Sequence, residues 1–406
     1  MKLPKYPYAH FSYCSNIHPG EEWADHFDQI KQHLPELKSR LSPDSSFGVG
    51  LRLSAKAASQ LKRKSELDRF RTWLTTEDLY LFTMNGFPYG SFHGERVKDN
   101  VYAPDWTAPD RLLYTTDLIE ILTELLPGGI DGGISTSPVS YKYWEKAASG
   151  TDDIFAIATI NLARAARRMH KVYEQTGKQI HLDIEPEPDC LLENGTETLQ
   201  FFKEWLFPKG SDFLQSEFSY SKSKAEEILK KHITVCYDTC HFALEYEHAK
   251  DAIDAFRKEG IRIGKTQVSS ALKVDWTRPG LSVQNVLSRL KTFDEPVYLH
   301  QVIELRKDGS FQQYRDLPQA LGAFDESAAK EWRIHFHVPL FLDEFEELHS
   351  TRDHIEQALP YLLQSSRCTH FEIETYTWEV LPERFKTNLT DSIEREYRWM
   401  LGLVAG

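Results

Sequence analysis

The chain has 406 residues, of which 41% are hydrophobic and 27% are charged. These proportions are ordinary for a globular protein with a large buried core. The 61 acidic and 48 basic residues give a formal net charge of −13. Such a balance argues against a broad electrostatic surface for nucleic acid or for an anionic membrane.

The cysteines and the N-terminal segment indicate in which cellular compartment the protein is expected. Five cysteines are scattered along the chain without a CxxC pair, so neither a zinc ribbon nor a thioredoxin-like site is indicated. Unpaired thiols fit a reducing cytoplasm. The segment MKLPKYPYAHFSYCSN lacks the apolar stretch of a secretory signal. No window reaches the ~18 apolar residues of a membrane span, so we expect a cytoplasmic protein.

Short β-branched or aromatic runs alternate with longer helical patterns along the chain. Strands are predicted at residues 11–16, 47–53, 79–84, 133–137, 179–185, 233–238, 261–267 and 371–375. Between most of them lie helical patterns, such as the 3.6-residue apolar stripe of residues 21–41. Eight strand–helix units favour a parallel α/β fold closed into a (β/α)8 TIM barrel. The absence of GxGxxG after the first strands weakens an open dinucleotide-binding sheet.

One segment does not belong to any of the eight strand–helix units. Residues 296–305 and 310–314 flank Lys307, Asp308 and Gly309, a strong hairpin signal. A further strand-like run follows at residues 332–340. We predict that residues 295–342 form a β-hairpin excursion between strands 7 and 8 that folds over the barrel mouth. Residues 1–406 are predicted to form a single TIM-barrel domain.

The alternation of side chains along a barrel strand predicts which residues face the interior. The predicted inward pairs are, strand by strand, Asp183 and Glu185, Cys236 and Asp238, Lys265 and Gln267, and Glu372 and Glu374. His241 lies one turn beyond its strand, and His335 and His337 share one face of residues 332–340. Acidic and imidazole side chains are thus expected at the C-terminal strand ends, where barrel active sites form.

This cluster predicts a divalent metal. Clustered anions repel each other unless a cation or a shared proton compensates them, and Mn²⁺, Zn²⁺ or Mg²⁺ suits a mixture of oxygen and nitrogen ligands. For any one carboxylate, a buried ion pair remains the alternative. Lys265 is either an ion-pair partner or a catalytic cation. Asn16 and Asn85 are candidates for the barrel mouth, whereas Glu187, in a loop, is expected to be exposed.

The motif VCYDTCH, preceded by LDIEP and followed by EIET, resembles the xylose-isomerase-like superfamily. That superfamily contains sugar isomerases and epimerases, hydroxypyruvate isomerase and the endonuclease IV enzymes. By position, the resemblance implies that the ligands of a central metal are Glu185, Asp238, Gln267 and Glu374. The superfamily usually has His where Gln267 stands, and a neutral Gln makes a weaker site.

The histidines extend this resemblance. His241 corresponds to a residue that binds a further metal in the endonucleases and touches substrate in the isomerases. His335 and His337 have the spacing of the Asp-x-His pair that completes that metal site in the endonucleases. The remaining endonuclease metal needs histidines where this chain has Asn85 and Ser137. A small-molecule metabolite is therefore expected as the substrate, and nucleic acid is not.

Over nearly its full length the chain is similar to the EboE-type metabolite traffic proteins. The shared segments are FSYCSNIHPGE, NGFPYG with FHG, LDIEPEPDCLLE, CYDTCH, KTQVSSAL, FHVPLF and EIETYTWEVLP. This resemblance implies the handling or export of a secondary-metabolite precursor.

Three functions follow as hypotheses. The first is a metal-dependent isomerase or epimerase that acts on a small hydroxy-carbonyl compound or a secondary-metabolite precursor. Glu185 and Glu374 would move the proton, and His241 and Lys265 would stabilise the enediolate oxygen. The alternatives are a metal-dependent phosphoesterase or hydrolase of the endonuclease IV-like type and a non-catalytic metabolite binding or trafficking protein. A homo-oligomer is compatible with each.

Overall fold

A closed parallel barrel forms the centre of the protein. The computed structural model describes residues 1–90, 92, 97–144, 150–345, 347–379, 381 and 388–405. In these ranges, barrel strands 1 to 8 are Tyr6–Tyr13, Phe47–Arg52, Leu79–Asn85, Gly132–Thr136, Ile180–Ile184, Ile233–Asp238, Ile263–Val268 and His370–Ile373.

The pairing of these strands closes the barrel. Barrel strands 2 to 8 pair in parallel in chain order, and barrel strand 8 pairs in parallel with barrel strand 1. A parallel bridge between Cys14 and Gly50 joins strands 1 and 2, and the short strand Lys2–Leu3 pairs antiparallel with barrel strand 1. The predicted TIM barrel is confirmed. The first strand ends three residues earlier than predicted, because Ser15–Ile17 forms a short 3₁₀-helix.

Helices lie between the strands. The α-helices of the described ranges are Trp23–Leu41, Ala55–Leu61, Lys64–Thr76, Pro109–Leu125, Thr151–Thr176, Gly195–Phe201, Phe207–Phe218, Lys222–His232, Thr239–Leu244, Ala249–Lys258, Val283–Leu290, Leu317–Gly322, Arg352–Pro360 and Leu389–Ala405. The first of them buries Phe27, Ile30, Leu34 and Leu37 along its predicted stripe. In the part of the chain that is described, no helix has both the length and the apolar composition needed to cross a membrane.

A second, antiparallel sheet stands between barrel strands 7 and 8. Its strands, in spatial order, are Phe311–Tyr314, Val302–Arg306, Ala329–His337, Ala271–Asp275, Leu348–Ser350 and Glu344–Phe345. The predicted hairpin is present, with Gly309 in the left-handed conformation at φ +86°. The sheet extends beyond the predicted residues 295–342, since it also contains the strands Ala271–Asp275 and Leu348–Ser350. The sequence did not indicate these two strands, because they are too short to have a clear alternation pattern.

The barrel interior is polar at three levels, where branched apolar residues are more common. Three successive inward positions of strand 8 mark these levels: His370 at the N-terminal end, Glu372 in the middle and Glu374 at the C-terminal end. In the middle, Glu372 Oε2 lies 2.6 Å from Lys265 Nζ, and both side chains are fully buried. Gly50 leaves space for this pair, since a Cβ there would lie 1.8 Å from Glu372 Oε1.

Candidate metal centre at the barrel mouth

Three carboxylates meet at the C-terminal end of the barrel. Glu185 follows barrel strand 5, Asp238 ends barrel strand 6 and Glu374 follows barrel strand 8. All three are buried, and each offers an oxygen within 4.8 Å of the other two. Parallel strands place their carboxyl ends at one edge of the barrel, so residues far apart in sequence converge here. We call these three residues the acid triad.

The acid triad is electrostatically unfavourable without a compensating cation. Burial, followed by the charges of Glu374 and Asp238, raises the pKa of Glu185 well above its usual value. Burial and the charge of Asp238 raise the pKa of Glu374 in the same way. Within the described residues, Glu185 Oε2 and Asp238 Oδ2 have no hydrogen-bond partner. Adjacent unpartnered carboxylate oxygens of this kind fit a divalent metal ion.

Asp238 is held in place by the start of the next helix. Its Oδ1 accepts hydrogen bonds from the backbone amides of Cys240 and His241, at 2.7 and 3.1 Å, and from Ser269 Oγ at 2.6 Å. The carboxylate therefore acts as the N-cap of Thr239–Leu244. One oxygen is fixed by the cap, which leaves Oδ2 directed to the acid triad and to His241 Nε2, 3.9 Å away.

Glu374 is held by two amide side chains. Its Oε1 accepts from Asn16 Nδ2 at 2.7 Å and from Asn85 Nδ2 at 2.8 Å. Asn16 and Asn85 come from the ends of barrel strands 1 and 3, which confirms their predicted place at the mouth. His18, which follows Asn16 in the same loop, has its Nε2 atom 2.8 Å from Tyr13 OH.

Three imidazoles lie beside the acid triad, and all three have the same tautomer. The Nδ1 atoms of His241, His335 and His337 each bond a carbonyl oxygen. Those oxygens belong to the Pro186 backbone, the Gln301 side chain and the Glu374 backbone. A carbonyl oxygen can only accept, so Nδ1 carries a proton, and in the neutral ring Nε2 then keeps the lone pair. A hydrogen bond that orients the ring in this way is typical of metal-binding histidines.

The imidazoles and the carboxylates form mixed groups of possible metal ligands. Asp238, His241 and His337 each place a ligand atom within 4.8 Å of one another, and the same holds for Glu187, His241 and His335. Burial lowers the pKa of His337 to about 4, and burial with the neighbouring His241 lowers that of His335 well below its usual value. Neutral imidazoles next to a shared carboxylate fit a second cation beside the first.

Glu187 was expected to be exposed, and that prediction is wrong. Its side chain is buried, and Tyr102 OH donates to Oε1 at 2.8 Å. Burial raises the pKa of Glu187 to about 7, although His241 and the Tyr102 hydrogen bond act in the opposite direction. The loop after strand 5 folds back over the mouth, where Glu187 N donates to Leu192 O. Local sequence offers no signal for this return.

Lys265 and Gln267 lie below the acid triad. Lys265 pairs with Glu372 and does not line the cavity at the mouth. Gln267 is in register with Asp238 on one side and with Glu372 on the other. Its Oε1 and Nε2 atoms are buried without a hydrogen-bond partner in the described ranges. The amide oxygen is thus a further oxygen donor beside the acids.

A cavity of about 60 Å³ opens above these residues. Glu185, Glu187, Glu374 and the three imidazoles line it together with an aromatic group. The aromatic lining residues are Phe87, Phe92, Tyr102, Tyr298 and Tyr376. The cavity therefore offers oxygen and nitrogen ligands to a polar group and aromatic surface to the rest of a small molecule.

Comparisons with known proteins find similarity to solved structures. No family model and no curated protein matches the chain. Among solved structures, the chain is similar to the IolI protein with a bound zinc atom, with 12% identity, 98% of each chain covered and a TM-score of 0.49. A xylose isomerase-like TIM barrel protein from Mycobacterium smegmatis in complex with magnesium has 11% identity, with 97% of this chain and 98% of that chain covered, and a TM-score of 0.46.

A third similar structure is the probable 3-DHS dehydratase AsbF from Bacillus anthracis. It has 12% identity, with 96% of this chain and 98% of that chain covered, and a TM-score of 0.43. At these identities the likeness concerns the fold alone. None of these findings concerns the EboE-type proteins, so that closer resemblance stays a prediction.

Proposed function

We propose that the protein is a metal-dependent isomerase or epimerase that acts on a small hydroxy-carbonyl compound. The observation that carries this proposal is the acid triad, in which Glu185 and Asp238 keep unpartnered oxygens beside a small-molecule cavity. Gln267 completes the oxygen ligands. Mn²⁺, Zn²⁺ and Mg²⁺ all accept such donors.

A divalent metal held there supplies the Lewis acidity that makes the C–H bond beside a carbonyl more acidic. The residues of the chain move the proton. Glu185 and Glu374 follow different strands and both line the cavity, so each can face the substrate carbon from its own side. Asn16 and Asn85 orient the Glu374 carboxylate through its Oε1 atom.

Two further side chains assist in this proposal. Glu187 lines the cavity and accepts a hydrogen bond from Tyr102 OH, so it offers a further oriented carboxylate for proton transfer. His241 Nε2 accepts a substrate hydroxyl or a cation, since its Nδ1 proton is held by Pro186 O. Lys265 compensates Glu372 below the site, because its ammonium group is fully buried against that carboxylate.

Exchange of substrate hydrogen with solvent tests this proposal before the product is known. Aldoses, ketoses and hydroxy-carbonyl acids are incubated in D₂O with the metal-loaded protein, and C–H exchange is followed by NMR. We expect exchange that is lost in Glu374→Gln and Glu185→Gln and kept in the matched surface change Glu356→Gln. Exchange that persists in the two site variants, or in metal-stripped protein, contradicts the proposal.

A second candidate is a metal-dependent phosphoesterase. It is supported by the common Nδ1 orientation of His241, His335 and His337 and by Asp238, which shares a candidate ligand group with His241 and His337. Two adjacent metals can activate a water and stabilise the leaving oxygen. Two metal equivalents at the mouth with hydrolysis of bis(p-nitrophenyl) phosphate would favour it. One equivalent without hydrolysis would exclude it.

A non-catalytic role in metabolite binding or traffic is the function that the EboE-type resemblance suggests. The neutral Gln267 supports it, since an amide gives a weaker metal site than an imidazole. Tight ligand binding without exchange or hydrolysis is the expected observation. The single-domain boundaries, the cytoplasmic location and a homo-oligomeric state stay predictions.

A further inference from the structure

A second cluster of possible metal ligands lies at the opposite, N-terminal end of the barrel. It consists of Asp131, which precedes barrel strand 4, His181 on barrel strand 5 and His370 at the start of barrel strand 8. We call these three residues the base cluster. Their ligand atoms all lie within 4.8 Å of one another. Both histidines are fully buried, and their rings stack at a centroid distance of 4.9 Å.

His181 is oriented by a carboxylate behind it. Its Nδ1 atom lies 2.8 and 2.9 Å from the two oxygens of Asp183, and Asp183 Oδ1 also accepts a hydrogen bond from Thr234 Oγ1. A proton on Nδ1 therefore points to Asp183, and Nε2 faces the base cluster. Within the described residues, Nε2 has no hydrogen-bond partner. A carboxylate that fixes a histidine from behind is the usual support of a zinc-binding imidazole.

Two glycines leave the space for this arrangement. A Cβ at Gly264 would lie 2.2 Å from Asp183 Oδ1 and 2.6 Å from His181 Nδ1. A Cβ at Gly133 would lie 2.5 Å from His370 Nδ1. Any other residue at these two strand positions would displace the imidazoles or the supporting carboxylate. The pocket is thus shaped around these side chains.

The two imidazole–carboxylate distances are close to the spacing between ligands of one ion, and each imidazole faces a different oxygen of Asp131. His181 Nε2 lies 3.6 Å from Asp131 Oδ2, and His370 Nε2 lies 3.4 Å from Asp131 Oδ1. Two ligands that are each about 2.0–2.1 Å from a tetrahedral zinc ion lie about 3.4 Å apart. We propose that Asp131, His181 and His370 bind a structural divalent transition metal, zinc by ligand type.

The position of the base cluster defines what this metal would do. Barrel strands 4 and 5 are neighbours, whereas barrel strand 8 pairs only with strands 7 and 1 among the barrel strands. An ion on these ligands therefore crosslinks opposite sides of the barrel across its interior. Asp131 is 19% exposed at its side chain and lines a surface cleft with Lys178 and Gln179. The cleft gives the ion a path of entry and a water a path to the fourth ligand position.

A metal-free network is the competing explanation. In it, Nε2 of His370 donates its proton to the Asp131 backbone oxygen, 3.2 Å away, and Arg262 Nη1 pairs with Asp131 Oδ2 at 3.2 Å. A protonated His181 would then lie between Asp183 and Asp131. Burial opposes that charge, but the two carboxylates raise the pKa of His181. The two explanations differ in metal content.

The experiment uses the full chain with the mouth disabled by Asp238→Asn and His335→Gln together, which removes a ligand from each of the four candidate groups there. We expect this protein to keep about one equivalent of zinc after dialysis, measured by elemental analysis. Replacement by Co²⁺ should give the intense visible absorption of tetrahedral coordination. A chelator should lower its thermal unfolding temperature. The proposal is overturned if this protein, whose base residues are unchanged, contains no zinc and its thermal unfolding temperature does not shift on addition of zinc or chelator.

Variants at the base then locate the ion. His370→Gln and Asp131→Asn, each in the mouth-disabled background, should lose the zinc and the response to chelator. The matched control is His10→Gln, since His10 is a buried histidine whose ring lies 6.4 Å from that of His370 and bonds Tyr80 OH. The control should keep the zinc. Zinc retained in Asp131→Asn, whose side chain is partly exposed and whose fold is least at risk, counts against the proposal.

Discussion

The two ends of the barrel carry polar clusters with opposite electrostatics. At the mouth, Glu185 and Glu374 are buried against other carboxylates, and the pKa of each is raised. At the base, burial alone would raise the pKa of Asp131, but the adjacent imidazoles of His181 and His370 lower it far below its usual value. An acid among acids needs a cation to compensate it, whereas at the base one carboxylate faces two imidazoles, which is the mixed oxygen and nitrogen ligand set of the proposed zinc ion.

The same strands supply both clusters. Barrel strand 5 contributes His181 to the base and leads to Glu185 at the mouth, and barrel strand 8 contributes His370 and leads to Glu374. The Lys265–Glu372 pair lies between the two levels and neutralises the middle of the barrel. Access therefore distinguishes the two ends: the mouth opens into a cavity for a small molecule, and the base meets only a surface cleft.

The largest expected effect comes from Asp238, the carboxylate shared by the acid triad and the imidazole group. In Asp238→Asn, the amide oxygen can still cap Thr239–Leu244, so the fold should remain. Metal affinity at the mouth should fall by at least about 100-fold, because both candidate positions lose an anionic ligand. Competition with a chromogenic chelator measures this loss. An unchanged affinity would mean that the mouth does not bind metal through Asp238.

Lys265→Met tests the buried Lys265–Glu372 ion pair that lies between the two ends of the barrel. Removal of the ammonium group leaves Glu372 charged and buried without its partner, which should cost about 3–5 kcal/mol of unfolding free energy. Urea unfolding measures the change. The double variant Lys265→Met with Glu372→Leu should recover most of the loss, since both charges are then absent. A single variant as stable as the wild type would show that Glu372 is protonated or otherwise compensated.

The pH dependence of stability should have opposite signs at the two ends. For metal-free protein, Glu187 has a pKa of about 7 when folded and 4.5 when unfolded, so the folded state holds its proton longer. This contribution is complete below pH 4.5 and is lost as the pH rises through 7, on the order of a few kcal/mol. Asp131, with its lowered pKa, contributes above the unfolded value of 3.8 and loses that contribution as the pH falls.

Urea unfolding between pH 5 and 8, with chelator present, checks the mouth part of this prediction. Glu187→Gln should flatten the decline of stability with rising pH. Asp131→Asn should leave the slope in that range nearly unchanged, because its titration lies at lower pH. Equal slopes in the wild type and in Glu187→Gln would show that Glu187 does not hold its proton in the folded protein.

Tyr102→Phe should have the smallest effect. The change removes the hydrogen bond to Glu187 Oε1 and the one that Tyr102 OH accepts from Gln301 Nε2, and should cost about 2 kcal/mol. Because the first of these hydrogen bonds lowers the pKa of Glu187, the pKa should rise further in the variant, which an NMR titration of the carboxyl carbon can follow. Tyr298→Phe is the matched control, since this tyrosine also lines the cavity but donates to Phe92 O. A rise in both variants would point to a general change in the cavity.

Much of the barrel could be predicted because its signals are local. A β-strand alternates its side chains regardless of what it contacts, so the inward phase of Glu185, Asp238 and Glu374 follows from neighbouring letters. The spacing of His335 and His337 fixes their common face in the same way. Once the strands are known to be parallel, their carboxyl ends must meet, and the acid triad follows from the fold class.

Only the tertiary structure determined the contacts between segments that are far apart in the chain. Glu187 is buried because its loop returns over the mouth, and Lys265 is kept from the cavity by Glu372, 107 positions further along the chain. The base cluster joins Asp131 to His370, 239 positions apart, and depends on space left by Gly133 and Gly264 on other strands. Alternation determines which side of a strand a residue faces, but only the closed barrel determines which residues it meets there.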